Sequence, residues 1–183
     1  MLAQARRLLF YFFVFAFLGF VVETLTIYLT TGELRARGYW FTPNHYPLRG
    51  IPYIGLPFIP LYGFGGLVVV YIVARFKKNP FLVFFVGMAV LTFLEFVTGF
   101  ILLKTSGTRL WDYPPGLAYA NGILDVWTTV AWGVLAMIMV YLMVAPLEKL
   151  YKKIAGKRWL HILLYGLLVL VILCSLHRDV SLF

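Results

Sequence analysis

Residues 95–125 read EFVTGFILLKTSGTRLWDYPPGLAYANGILD. The stretch begins with a carboxylate, Glu95, inside an apolar run and leaves that run through Arg109, Leu110, Trp111, Asp112 and Tyr113. It turns at Pro114-Pro115 and enters a second apolar run past Asn121-Gly122 with a second carboxylate, Asp125. Exit, turn and re-entry describe a helical hairpin in a membrane. An acid in hydrocarbon costs several kcal/mol unless it is paired or faces a polar cavity, which makes Glu95 a candidate functional residue.

Composition carries the same reading to the whole chain. Of 183 residues, 62% are hydrophobic and 13% charged, far from soluble averages. A mean hydropathy of +0.90 agrees. The net charge of +9 would suggest nucleic acid in a soluble protein. Here the Lys and Arg flank apolar runs, where they set topology and touch lipid headgroups, so membrane lipid rather than nucleic acid is the expected partner. Cys174 is the single cysteine, which excludes an intrachain disulfide.

Five apolar runs, at roughly 8–31, 53–74, 81–103, 122–145 and 159–176, each approach the length that crosses a bilayer. The fold class expected is all-α, a polytopic transmembrane bundle of about five helices forming one integral membrane domain. Arg6-Arg7 resembles a signal-peptide start, but Glu23 lies inside the run that follows, so the first helix reads as uncleaved. Ten Lys and Arg fall on the side of the N-terminus and six on the other side. This places the N-terminus in the cytoplasm and the C-terminus outside. The second run begins irregularly. Pro52, Pro57 and Pro60 remove amide donors, so a regular helix is not expected before about Pro60. Either the freed backbone lines a wet cavity or the helix simply starts late, with its glycines used for close packing.

Shifting the chain against itself by 72 residues gives eleven identities over positions 12–77. Glu23 falls on Glu95, Thr26 on Thr98, Arg37 on Arg109, Pro43 on Pro115 and Gly50 on Gly122. Phe12, Phe13 and Val14 fall on Phe84, Phe85 and Val86, and Val68 and Lys77 on Val140 and Lys149. Two duplicated hairpins of one orientation are expected, about 10–77 and 82–149, followed by an additional helix. Glu23 and Glu95 would then share one depth. Like charge and desolvation each disfavour two anions there, so either one is protonated or arginines compensate. Arg49 and Arg109 are the nearest candidates, with Arg37. Trp111, Tyr113 and Asn121 complete the candidate site, although the aromatic rings also suit an interfacial belt.

Arg49-Gly50, then Pro57, Pro60-Leu61-Tyr62-Gly63-Phe64-Gly65, Glu95 with Thr98-Gly99, Trp111-Asp112-Tyr113, Asn121-Gly122 and Trp132-Gly133 follow one another in order. This series resembles the CmpB-like family of ABC-transporter type IV membrane proteins over roughly residues 15–140. The resemblance implies a small polytopic bacterial membrane protein of a transport-related class. Pro114 departs from the Ser expected after Trp-Asp-Tyr. No G-x-x-x-x-G-K-[ST] occurs, so nucleotide hydrolysis would need a separate ATPase as partner. The one segment left to dock it is Pro146–Arg158, which more simply reads as a basic strip on the inner leaflet. A second copy of the chain is another expected partner.

No hydrolase or metalloprotease motif is present, and His45, His161 and His177 lack metal-ligand spacing, so neither metal nor cofactor is expected. Three functions stay open. The first is a permease-like or solute- or lipid-binding module in which Glu23 and Glu95 are proton- or cation-linked and arginines gather an anionic group. The second is an intramembrane enzyme with Glu95 or Glu23 as general acid or base and Asp112 as an orienting group. In the third, the glutamates are merely paired with Arg or Trp donors to fix helix packing.

Overall fold

A computed structural model describes residues 2–32, 39–40, 55–107, 109 and 111–180 of the chain, with 39–40, 55, 106 and 174–180 described by backbone alone. Arg37 and Arg49 of the candidate site, together with Asn44 and His45, lie outside the described residues.

The architecture is all-α. Helix α1 spans Leu2–Thr31 and α2 Pro60–Tyr71, which tightens into a 3-10 turn at Val73–Phe76. Helix α3 spans Pro80–Ser106, α4 Val126–Ile154 and α5 Arg158–Val180. Three of these, α1, α3 and α4, are long and apolar enough to cross a membrane, while α2 with its 3-10 turn and α5 are shorter apolar helices. The second run therefore yields less helix than its length suggests. The prolines delay its start to Pro60, the first residue of α2. The sequence did not announce two short antiparallel ladders, one ahead of α2 and one ahead of α4. Strand β1 (Tyr39–Trp40) pairs with β2 (Gly55–Leu56), and β3 (Ala118–Tyr119) with β4 (Leu124–Asp125).

Local chemistry sets the helix ends. The Asn79 side chain accepts from Phe81 N at 3.0 Å and Leu82 N at 3.3 Å, and Pro80 occupies the first turn, where no amide partner is lost. Gly107, at φ +64°, closes α3 in the left-handed conformation that glycine adopts without strain. Asp125 caps α4 by accepting from Thr128 N at 3.1 Å. Within α4, residues Met139–Met143 form a π-helical turn.

The chain forms two compact units, residues 1–64 with 151–183, and Gly65–Leu150. In the first, α1 meets the start of α2. Ile59 N donates to Ala16 O at 3.0 Å, and the rings of Phe13 and Phe58 lie 5.7 Å apart. The other end of α1 meets α5 and the last turn of α4. Arg6 Nη1 lies 2.8 Å from His161 Nε2, and the Phe10 and Tyr151 rings are 5.2 Å apart. In the second unit, α3 and α4 approach closely at glycines. A Cβ on Gly87 would meet Ala136, and one on Gly133 would fall 2.7 Å from the Phe84 ring. Small residues at a crossing are how apolar helices approach without a hydrophobic driving force between them. The opposite face of α4 exposes Trp127, Val130, Val134, Ile138 and Leu142 at spacings of three and four. Such a stripe needs a hydrocarbon solvent.

Candidate intramembrane carboxylate site

Val83, Gly87, Leu91 and Glu95 are all buried and follow one another every fourth residue along α3. That spacing stacks them on one face of the helix. Glu95 is 3% exposed and is the one buried charged side chain among the described residues. Its Oε2 accepts from Trp132 Nε1 on α4 at 2.7 Å, and its Oε1 accepts from the Tyr113 hydroxyl, also at 2.7 Å. Both are short, well-formed hydrogen bonds. One side chain thus ties α3, α4 and the connection between them.

The connection is built to deliver Tyr113. Trp111 Nε1 donates to Ile123 O at 2.9 Å, and Tyr113 N donates to Gly122 O at 3.0 Å, which lays the outgoing strand of the connection on the returning one. Gly99 on α3 is the seat beneath it, since a Cβ there would come within 2.6 Å of Ile123 and 3.0 Å of Trp111. The return turn passes through Ala120, Asn121 and Gly122, at φ of 50°, 59° and 76°. At Gly122 glycine is required twice over. Its φ is left-handed, and an added Cβ would lie 2.5 Å from Asp112 Oδ1.

Arg109 does not extend toward Glu95 as compensation. Its Nη1 donates to Asp112 Oδ1 at 2.5 Å and to Asn121 O at 2.7 Å, closing the neck of the connection. With the Asp112 side chain 63% exposed, this ion pair positions the loop more than it stabilises the fold. Asp125 is engaged as the α4 cap. The expected residues Glu95, Arg109, Trp111, Asp112, Tyr113, Asn121 and Asp125 therefore fall in one unit, with Glu95, Tyr113 and Trp111 at its buried end. Glu23 belongs to the other unit. There its Oε1 accepts from the Tyr62 hydroxyl on α2 at 2.8 Å, and the Tyr62 ring covers Gly19, where a Cβ would be 2.2 Å from it.

Trp132 and Tyr62, which hold the two carboxylates, are absent from the residues the sequence singled out as a site. A signal existed. Each is a donor-bearing ring inside an apolar run and is followed by glycine, and a buried indole N–H or phenol O–H needs an acceptor.

A profile of the family described as "Putative ABC-transporter type IV" (ABC_trans_CmpB) matches residues 10–177. The chain belongs to this family. The ABC-transporter type IV match includes both glutamates, both rings that hold them and most of α5, beyond the 15–140 that the motifs suggested. With three helices fit to cross a bilayer, this family member is a membrane protein. No curated protein and no solved structure matches the chain.

Proposed function

We propose that the chain is a permease-like membrane subunit, binding a solute or lipid, in which Glu95 takes up and releases a proton. The carrying observation is the pair of groups on its two oxygens. Trp132 N–H can only donate, so it fixes Oε2 as an acceptor in either protonation state. Tyr113 O–H can donate or accept. With Glu95 ionised, Tyr113 donates to Oε1. With Oε1 protonated, the acid donates to the phenol oxygen and that bond reverses without being lost. A proton can therefore come and go with little repacking. The other titratable groups of the connection are engaged elsewhere, Arg109 and Asp112 with each other and Asp125 with Thr128 N. Arg37 and Arg49, outside the described residues, and Arg109 once its bond to Asp112 opens, are the groups proposed to gather an anionic partner. A separate ATPase is the proposed energy-supplying subunit, with the basic segment Pro146–Arg158 as its docking element.

Glu95→Gln is the informative variant. Its amide oxygen can accept from Trp132 while its NH2 donates to Tyr113, which reproduces the protonated pattern without a removable proton. Purified protein in liposomes holding a pH-sensitive dye should pass protons under an imposed gradient, and Glu95→Gln should not, while unfolding near the wild-type temperature. Flux no faster than in protein-free liposomes, or flux retained in Glu95→Gln, sinks the proposal. The shortness of both bonds also favours a second reading, Glu95 as a packing clamp. Under that reading Trp132→Phe lowers the unfolding temperature and no variant alters flux.

A further inference from the structure

We infer that α1–α2 and α3–α4 are two copies of one hairpin, and that Glu23–Tyr62 is a second carboxylate site built like Glu95–Trp132. The inference rests on contacts inside each unit. On α1, Tyr11, Phe15 and Gly19 are buried, and Glu23 continues their four-residue spacing. On α3, Val83, Gly87 and Leu91 are buried and Glu95 continues the row. The offset between these rows is 72 at every position.

In the second helix of each hairpin the offset becomes 70. Tyr62 bonds Glu23 across 39 positions and Trp132 bonds Glu95 across 37. Independently, Gly63 lies against the Phe12 ring across 51 positions and Gly133 against the Phe84 ring across 49. The same two-residue difference appears in a hydrogen bond and in a backbone-on-ring contact. It equates Tyr62-Gly63 with Trp132-Gly133. An ungapped shift of 72 would instead pair Tyr62 with Val134, which is 47% exposed and has nothing to donate. Val68–Val140 and Lys77–Lys149 are then coincidences of the ungapped comparison. The two extra residues of the first copy lie between Glu23 and Tyr62 in the chain; a short ladder precedes the second helix in each copy, but β1 and β3 are not equivalent positions.

The copies differ in detail. Gly19 stands where Leu91 stands, because the Tyr62 ring occupies the space a side chain would fill. The equivalent of Tyr113 is Phe41, outside the described residues. Glu23 is half-buried and Glu95 buried. The ligand class is a proton at each carboxylate, an assignment that rests on the reading of Glu95 above. The hairpin equivalence does not rest on it.

Two measurements on the full chain separate the claims. Thermal unfolding of Glu23→Met, Tyr62→Phe and their double variant is expected to be non-additive, the double losing little more than the larger single. Glu95→Met with Trp132→Phe should behave in the same way. Glu→Met and Tyr→Phe nearly keep side-chain volume, and Trp132→Phe keeps an aromatic ring in a smaller volume, so folding is retained. Additive losses at Glu23 and Tyr62 overturn the second site. Infrared difference spectra across a pH titration in lipid should contain two protonated-carboxyl bands. One should be lost in Glu23→Gln and moved by Tyr62→Phe, and the other lost in Glu95→Gln and moved by Trp132→Phe. A Glu95 band with no Glu23 band overturns the second proton site and leaves the proposal for Glu95 standing. No Glu95 band overturns that proposal, and the unfolding data still judge the duplication.

Discussion

Glu95 shows how the rings of neighbouring elements help to hold a buried acid. An unpaired carboxylate in a low-dielectric interior is costly, and two short hydrogen bonds from neutral rings are one way to hold it. Trp132→Phe leaves Oε2 without that donor, so a loss of about 1–3 kcal/mol in unfolding free energy is expected. Equilibrium unfolding in detergent micelles would measure it, and an unchanged midpoint would mean the bond is replaced by water. Gly122 is the second residue to probe. Moving Ala into a left-handed φ of 76° costs roughly 1 kcal/mol, and its Cβ would displace Asp112. Gly122→Ala should therefore loosen the connection and raise protease cleavage between Arg109 and Asp125, while Gly116→Ser, with nothing within 4 Å of an added Cβ, should perturb only its own turn.

At the scale of elements, much of the fold is legible in the chain. The α2 start at Pro60 follows from three prolines, and the α3 start follows from an Asn-Pro pair that caps and pre-sets the first turn. The ladders were not legible, because two-residue strands carry no periodicity. Nor was the particular ring that bonds Glu95. Charge logic put Arg49, outside the described residues, first and Arg109 next, and Asp112, three residues from Arg109 on the same loop, engages Arg109. Spacing along one helix can be read from sequence, whereas which ring of the next helix meets it depends on the connection between the two helices, which that spacing does not reveal. The α3–α4 contact gives the prediction for this scale. Gly133→Leu would drive a side chain into the Phe84 ring, and overpacking of this kind typically costs 1–3 kcal/mol. Gly166→Leu on α5 meets nothing within 4 Å and should stay within about 0.5 kcal/mol of wild type. Equal losses in the two variants would mean that the α3–α4 interface is not packed through Gly133.

For the whole molecule the open variable is orientation, and it decides what the carboxylates face. Lys77, Lys78 and the Lys149–Arg158 cluster lie on the same side as the N-terminus if α1, α2, α3 and α4 each cross once. From the excess of Lys and Arg on that side we propose that it faces the cytoplasm. The α3–α4 connection, with Tyr113 reaching Glu95, then opens to the outside. A proton would enter Glu95 from the outer face, and the basic segment would meet a cytoplasmic ATPase. Two exposed positions test this in intact cells, after Cys174→Ser removes the native thiol: Pro115→Cys on the connection and Lys78→Cys between α2 and α3. An impermeant maleimide should label Pro115→Cys in intact cells and Lys78→Cys only after permeabilisation. Labelling of Lys78→Cys alone in intact cells would invert the molecule. The mouth of the Glu95 site would then face the cytoplasm, and a docking role for Pro146–Arg158 would be lost, because no nucleotide-driven subunit works from the outside.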